Sequence, residues 1–264
     1  MIRWRSGTVT AVRREWPGAA EIMVTVDGTD VRALAYPALV GRPRAGDRVL
    51  LNTTALDLRL GTGGYAFVIA IPDRLPPDAP GVSGASPDAP GARPGAPDAP
   101  LQSGHIVKSR YTPLQATLSS VDEQGSPYHE VLRDASSVDG MPVVVADLHS
   151  ALPAVLAGLP GGDGSRPRVA YVMTDGGALP AWFSRAVAGL REAGWLAGTV
   201  TTGQSFGGDL EAVTVHTGLL AARHVLGADV AIVAQGPGNL GTGTRWGFSG
   251  VAAGEAVNAA AVLR

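Results

Sequence analysis

Residues 235 to 250 read QGPGNLGTGTRWGFSG and place glycine at 236, 238, 241, 243, 247 and 250. Inside regular elements each would cost roughly 0.5–1 kcal/mol of backbone entropy against alanine. The sum approaches the roughly 5–15 kcal/mol by which a whole domain is stable. A backbone this permissive suits a ligand that approaches main-chain N–H groups. Gly236, Gly238 and Gly241 spell G-x-G-x-x-G directly after the apolar run ADVAIVAQ. A dinucleotide fingerprint, however, opens a helix at once and is followed about twenty residues later by an acidic residue. Here Gly243 and Gly247 delay the helix to about Ser249, and only Glu255 follows. A P-loop would need lysine where Thr242 stands, so the principal cation for the β- and γ-phosphates is missing. What remains is a general anion nest, made of exposed N–H groups, a helix N-terminus capped by Ser249 and the charge of Arg245. The competing explanation is that these glycines only let elements pack closely or form an ordered turn.

Further chemistry-bearing residues end other apolar runs. Asp147, His149 and Asp175 are the candidates for acid–base catalysis, since a histidine near pKa 6.5 transfers protons at neutral pH. The candidate ligand-binding set is Thr202, Gln204, Ser205, Gly236, Gly238, Asn239, Gly241, Thr242, Gly243, Thr244 and Arg245. Asp147, His149, Asp175 and His216 would make a hard oxygen and nitrogen metal site. None of the five histidines lies in an H-x-x-x-H or H-E-x-x-H context, so neither a metal nor a cofactor is assigned. Ser205, in GQSFGG, lacks the flanks of a G-x-S-x-G nucleophile elbow. Lys108, Arg110 and Tyr111 cluster beside a proline in KSRYTPLQ. They read as a clamp for an acidic ligand or, more commonly, as a solvated basic strand.

These residues must be positioned by the segment 105–264. Four apolar runs there each end in a polar or glycine-rich turn: PVVVADLHS, RVAYVMTDGGALP, GWLAGTVTTGQSFGGD and ADVAIVAQGPGNLGTGT. Helix-like stretches lie between them, ALPAVLAGL, PAWFSRAVAGLREAG and DLEAVTVHTGLLAARHVLG. β-Branched runs alternating with amphipathic helices predict an α/β, doubly wound, mostly parallel sheet. Ligands of such sheets bind in the crevice beyond the carboxyl ends of the strands, which gathers the candidate residues at one edge. Residues 209–226 are expected to form a single helix capped by Asp209, in preference to a strand EAVTV followed by a shorter helix, with Gly218 as its weak point.

Residues 1–72 differ in kind. Period-two runs punctuated by Pro17-Gly18, Asp27-Gly28 and further glycines predict a small antiparallel β-barrel of SH3-like or OB-like type. Its arginines, Arg3, Arg5, Arg13, Arg14 and Arg32, are spread out with no aromatic platform, so nucleic acid is not the expected partner. Residues 73–104 repeat PDAP at ten-residue intervals and form a Pro/Ala/Gly-rich linker or insertion. The net charge of -2 recommends no polyanion, and the absence of cysteine removes disulfides, thiolate nucleophiles and Cys-ligated metals. No secretory signal or membrane-length apolar run is present, so a cytoplasmic location is expected.

The segments GHIVKSRYTPLQ, MTDGGALP, GDLEAVTVHTGLLAARHVLGAD and GPGNLGTGTRWGFSG resemble the largely actinobacterial domain-of-unknown-function family numbered thirty-eight sixty-six, with GTGT-x-x-GFSG the most specific part. The resemblance implies kinship without a reaction, cofactor or catalytic residue. It also implies that similar proteins continue beyond Arg264 for further strands and helices. The expected function is binding of a small anionic metabolite or nucleotide at the glycine-rich loop. An assembly or adaptor protein, with homo-oligomers through the alanine-rich VAAGEAVNAAAVLR, and a metal-dependent hydrolase are the alternatives.

Overall fold

The computed structural model describes residues 2–59, 63–76, 104–112, 114–159 and 166–264, so most of the 73–104 linker lies outside the described residues. The chain forms two compact units, one holding residues up to 76 and one holding residues from 104 onward.

The first unit is a closed barrel of β1 (Trp4–Trp16), β2 (Ala19–Val26), β3 (Thr29–Ala35), β4 (Arg48–Asn52) and β5 (Ala66–Ala70). Two single-turn helices, α1 (Pro37–Val40) and α2 (Thr54–Asp57), lie between β3 and β4 and between β4 and β5. The strand order is β1-β2-β3-β5-β4, and β4 closes onto β1. Neighbours are antiparallel except β3 and β5, which run parallel, so the barrel is not wholly antiparallel as expected. Alternation decides which residues face inward: Ile22, Val24 and Val26 of β2 join Val9, Ala33, Val49, Leu51 and Val68 in one core. The Asp27-Gly28 turn has positive φ at both residues, as a two-residue hairpin of this twist requires. Outside, Arg3, Arg32, Arg42, Arg48 and Arg74 each pair with a carboxylate.

In the second unit a two-stranded ribbon, β6 (Ile106–Lys108) with β7 (Ala116–Leu118), and helix α3 (His129–Leu132) precede an alternating series. The series is β8 (Val143–Val145), α4 (Leu152–Ala157), β9 (Val169–Thr174), α5 (Arg185–Glu192), β10 (Gly198–Thr202), β11 (Leu210–Ala212), α6 (Val215–His224), β12 (Val230–Gln235) and α7 (Ala253–Val262). The five strands form one sheet in the order β11-β10-β9-β12-β8, and every neighbouring pair is parallel. Val169, Tyr171 and Met173 of β9 point to one face, where α4 and α5 pack; Ala170 and Val172 point to the other, under α6 and α7. No described helix is long and apolar enough to cross a membrane.

The segment 209–226 corrects the expectation of a single helix. It is β11 followed by α6, whose cap is Thr214, accepting a hydrogen bond from the Thr217 amide. The Asp209 carboxylate instead accepts from the Thr199 amide at 2.7 Å and from the Thr199 hydroxyl at 2.9 Å. Parallel neighbours normally need a dozen or more connecting residues, yet β10 and β11 pair Val200 with Leu210. Buried threonines hold the doubled-back loop. Thr201 Oγ1 accepts from the Gly208 amide and Thr199 Oγ1 from the Asp209 amide. The open edge of β10 thus captured a segment whose helical pattern was the stronger local signal.

At Gly218 helix α6 lies close against the sheet, since a Cβ there would meet Thr202 Cγ2 at 2.8 Å and Val172 Cγ1 at 3.1 Å. Gly189 of α5 faces open space. Gly218→Ala is therefore expected to destabilise by about 1–3 kcal/mol through overpacking. Gly189→Ala should stabilise by about 0.5–1 kcal/mol through helix propensity. Urea denaturation of the two variants checks the opposite signs.

Candidate functional site

The chain leaves β9 into α5 on one face of the sheet and leaves β12 into α7 on the opposite face. The carboxyl ends of β9 and β12 are adjacent, with Thr174 paired to Gln235, so a topological switch point opens between them. A crevice of about 240 Å³, its open mouth included, lies here among Asp147, Thr174, Gln235, Ser249 and Gly250. Without that open mouth its volume is only about 10 Å³, room for about one water, so it is a shallow depression and not an enclosed pocket of the roughly 300–1,000 Å³ that ligands typically fill.

Gln235 is the centre of the crevice. Its side chain is buried, and Nε2 donates to the Asp147 carbonyl at 3.2 Å and to Asn239 Oδ1. Its Oε1 lies against Gly176 and has no hydrogen-bond partner among the described residues. Asp175, one residue before Gly176, is exposed and accepts from the Gln204 amide at 3.2 Å. Asp147 is exposed too, and its Cβ abuts Gly250. The structure thus brings Asp147, Asp175, Gln235 and Asn239 into one neighbourhood. Sequence reasoning placed Gln235 at this edge without making it a candidate, and its position as the last buried residue of β12 was the available signal.

His149 occupies a different kind of place. It is 9% exposed, on the α4 and α5 face of the sheet, in a short 3-10 turn that leads into α4. Its Nδ1 lies 2.9 Å from the Tyr171 hydroxyl and its Nε2 2.7 Å from Ser184 Oγ. Ser184 caps α5 by accepting from the Val187 amide at 3.0 Å, and the Tyr171 hydroxyl donates to the Gln235 carbonyl at 3.1 Å. One proton assignment serves every member. Ser184 donates to Nε2, Nδ1–H donates to Tyr171, and Tyr171 donates to Gln235. Burial depresses the imidazole to about 4, so His149 is neutral and both nitrogens are engaged. The ordinary pKa on which the expectation of proton transfer rested is thus lowered here by burial.

The glycine-rich loop is largely closed on itself. Gly241 and Phe248 form an antiparallel bridge, the Thr242 amide bonds the Gly247 carbonyl, and the Gly247 amide bonds that of Thr244. Ser249 does not cap its helix. Its Oγ accepts from the Leu240 amide, and its own amide returns to the Leu240 carbonyl. Packing explains Gly236, since a Cβ would crowd Met173 at 2.9 Å, whereas Gly238 has φ +97° and open space around it. The amides of Gly238 and Asn239 make no hydrogen bond among the described residues. Arg245 stacks over Trp246, and Gly243, Thr242 and Thr244 lie at the exposed hairpin tip.

Other candidates serve the scaffold. Thr202 is buried with its hydroxyl toward the Met173 carbonyl, Ser205 donates to the Thr174 carbonyl, and Gln204 Oε1 accepts from the Ser109 amide. Lys108 is neither a clamp nor solvated: it is 1% exposed, donates to the Gly203 and Ser205 carbonyls, and pairs with Glu211 at 3.3 Å. Burial pushes Glu211 up to about 7, while the charge of Lys108 draws it down. His216 is exposed on α6 and His224 bonds the Ser137 carbonyl. Among the described residues, no three His, Cys, Asp or Glu side chains come together as a metal site.

Because the folded pKa of His149 lies below its unfolded value of 6.5, its contribution is complete above that pH and is lost as pH falls toward 4. The loss should be on the order of 3 kcal/mol. His149→Gln should flatten this part of the stability profile, measured by denaturation between these two pH values. Identical slopes in the two proteins would contradict the assignment.

No curated protein and no solved structure matches the chain. One family model does, over residues 32–264, described as protein of unknown function (DUF3866). That match spans the barrel only from Arg32 of β3 onward, together with the whole parallel sheet, and by it the chain belongs to the DUF3866 family.

Proposed function

We propose that the second unit binds a small anionic metabolite or nucleotide at the switch-point crevice. The observation that carries this reading is Gln235 Oε1, a buried acceptor without a partner among the described residues. An unmet buried polar atom costs about 1–3 kcal/mol, and a ligand hydroxyl or N–H would relieve it. The Gly238 and Asn239 amides, with the N-terminus of the helical segment that starts at Ser249, offer the opposite polarity for an anionic group. Asp147 and Asp175 at the rim would accept from further hydroxyls or act as the acid–base pair. This bipolar lining supports a phosphorylated, hydroxyl-bearing molecule over a simple carboxylate. His149 is assigned to positioning β12, and Arg245 and the hairpin tip to the outer part of the ligand.

The finer reading of the architecture follows the same observations. The order β1-β2-β3-β5-β4 with a parallel β3–β5 contact supports an OB-like barrel over an SH3-like one, and helices on both faces support a doubly wound sheet. An adaptor function is favoured separately by Leu240 and Trp246, which stand 69% and 73% exposed on the hairpin. For the metal-dependent hydrolase reading, no group of three His, Cys, Asp or Glu side chains comes together among the described residues.

A thermal-shift and calorimetric screen of inorganic phosphate, sugar phosphates and nucleotides tests the proposal. Occupancy at about 100 times the dissociation constant should add roughly 2.7 kcal/mol of stability. Gln235→Met should weaken binding at least tenfold, about 1.4 kcal/mol, with stability changed by no more than about 1 kcal/mol. Absence of a shift with every class would overturn the reading.

A further inference from the structure

Gln235 Oε1 is covered as well as unpaired. The carboxamide nitrogen donates to the Asp147 carbonyl, which fixes the way the group points. The oxygen then faces Gly176 so closely that a Cβ there would come within 2.3 Å of it. While Gly176 lies in place, no outside donor reaches Oε1, whether it belongs to a ligand or to protein. The cover is the turn Asp175–Ala178, closed by the Ala178 amide on the Asp175 carbonyl at 2.8 Å. Both flanks of this turn are tied to the loop between β10 and β11. The Asp175 carboxylate accepts from the Gln204 amide and lies against Gly203. On the other flank Pro180 bridges Phe206, and the Ala181 amide bonds the Phe206 carbonyl at 2.7 Å. Lys108 holds the Gly203 and Ser205 carbonyls, so these supports are firm. Between them, the amides of Gly176, Gly177 and Leu179 make no hydrogen bond among the described residues.

The glycines of this turn do not serve its dihedral angles. Neither Gly176 nor Gly177 has a positive φ, whereas Ala178 stands at +46°. A side chain at such an angle is strained. Glycine at 176 instead permits the approach to Gln235, and at 177 the approach to Leu179, whose Cδ2 a Cβ would meet at 2.3 Å. The turn as it lies thus combines a strained residue with a buried acceptor that lacks a donor, and withdrawal from Gln235 can relieve both. On the basis of the ligand site argued above, we propose that Asp175–Ala178 is the gate of that site. It swings off Gln235 between its two tied flanks, and a ligand O–H or N–H takes the place of Gly176 at Oε1. The freed Gly176 and Gly177 amides then hold the anionic group opposite those of Gly238 and Asn239. The two turns already face each other, since a Cβ at Gly177 would lie 3.8 Å from the Pro237 carbonyl oxygen. The shallow depression beside Gln235 is the closed form of the site.

Amide relaxation-dispersion NMR of the free protein tests the gate, and titration with inorganic phosphate tests what it admits, because monohydrogen phosphate carries both a donor and an anion. Lid motions run on the microsecond to millisecond scale, so Gly176, Gly177 and the Gln235 carboxamide should exchange at one common rate. Phosphate should move the Gly176 and Gly177 resonances together with those of Gly238 and Asn239. Gly176→Ala puts a methyl where Oε1 lies and forbids the closed form. Its exchange should vanish, and phosphate should bind about threefold tighter or more, since the closed fraction no longer competes. Ala178→Gly removes the left-handed penalty of the closed form and should weaken phosphate binding about fivefold. A turn without exchange, or variants that leave phosphate affinity unchanged or shift it the other way, would overturn the gate. Phosphate shifts at Gly238 and Asn239 alone would also overturn it and leave the site standing. No phosphate shift anywhere, in a protein whose turn does exchange, would instead overturn the site and the role given to the two amides.

Discussion

A single buried chain of hydrogen bonds fixes the geometry on which the candidate site depends. It runs from the cap of α5 through Ser184, His149 and Tyr171 to the carbonyl of Gln235. Its members come from four separate parts of the second unit, the turn after β8, strand β9, the start of α5 and the end of β12. Each is buried, so each needs its partner, and a missing link would leave polar atoms in an apolar layer. Fully satisfied, the chain gives the carboxyl edge of the sheet one arrangement. Gln235 is thereby held with its backbone anchored below and its carboxamide directed toward Asp147 and Gly176.

Above that layer, the sheet order creates the crevice and close packing shapes it. Strand β12 enters between β9 and β8, which reverses the winding next to Thr174 and Gln235. Gly218 lets α6 settle against β9 and β10, and Gly236 lets the chain pass Met173. The return loop between β10 and β11 is held by buried threonine hydroxyls and by Lys108, whose ammonium group meets two loop carbonyls and Glu211. The polar residues at this edge therefore divide into a supporting layer, which includes Thr202, Ser205, Lys108 and His149, and a rim that faces outward.

Much of this was legible in the residue pattern because periodicity reports burial. The β-branched runs around Val144, Val172, Val200 and Ile232 each became strands, and Asp27-Gly28 became a hairpin turn, since their local chemistry and their tertiary placement agree. Residues 209–226 misled because Val213, Val215 and Leu219 fit a helix as well as a strand, and only the open edge of β10 decides between them. The parallel β3–β5 contact has no local signature at all. Within the site, residue type suggested solvent-facing groups where the structure has buried ones. His149 looked like a proton carrier and Lys108 like a solvated cation, and both are enclosed. Gln235 carried no catalytic expectation, yet its unmet oxygen arises from a position that only the fold defines.

The carboxyl edge of the sheet depends on His149 as a neutral link engaged at both ring nitrogens. Nitrogen-detected NMR of the imidazole across pH tests this most directly. The expected result is the Nδ1–H tautomer, with Nε2 unprotonated and no titration until the pH approaches 4. An Nε2–H tautomer, or protonation near the ordinary 6.5, would contradict it.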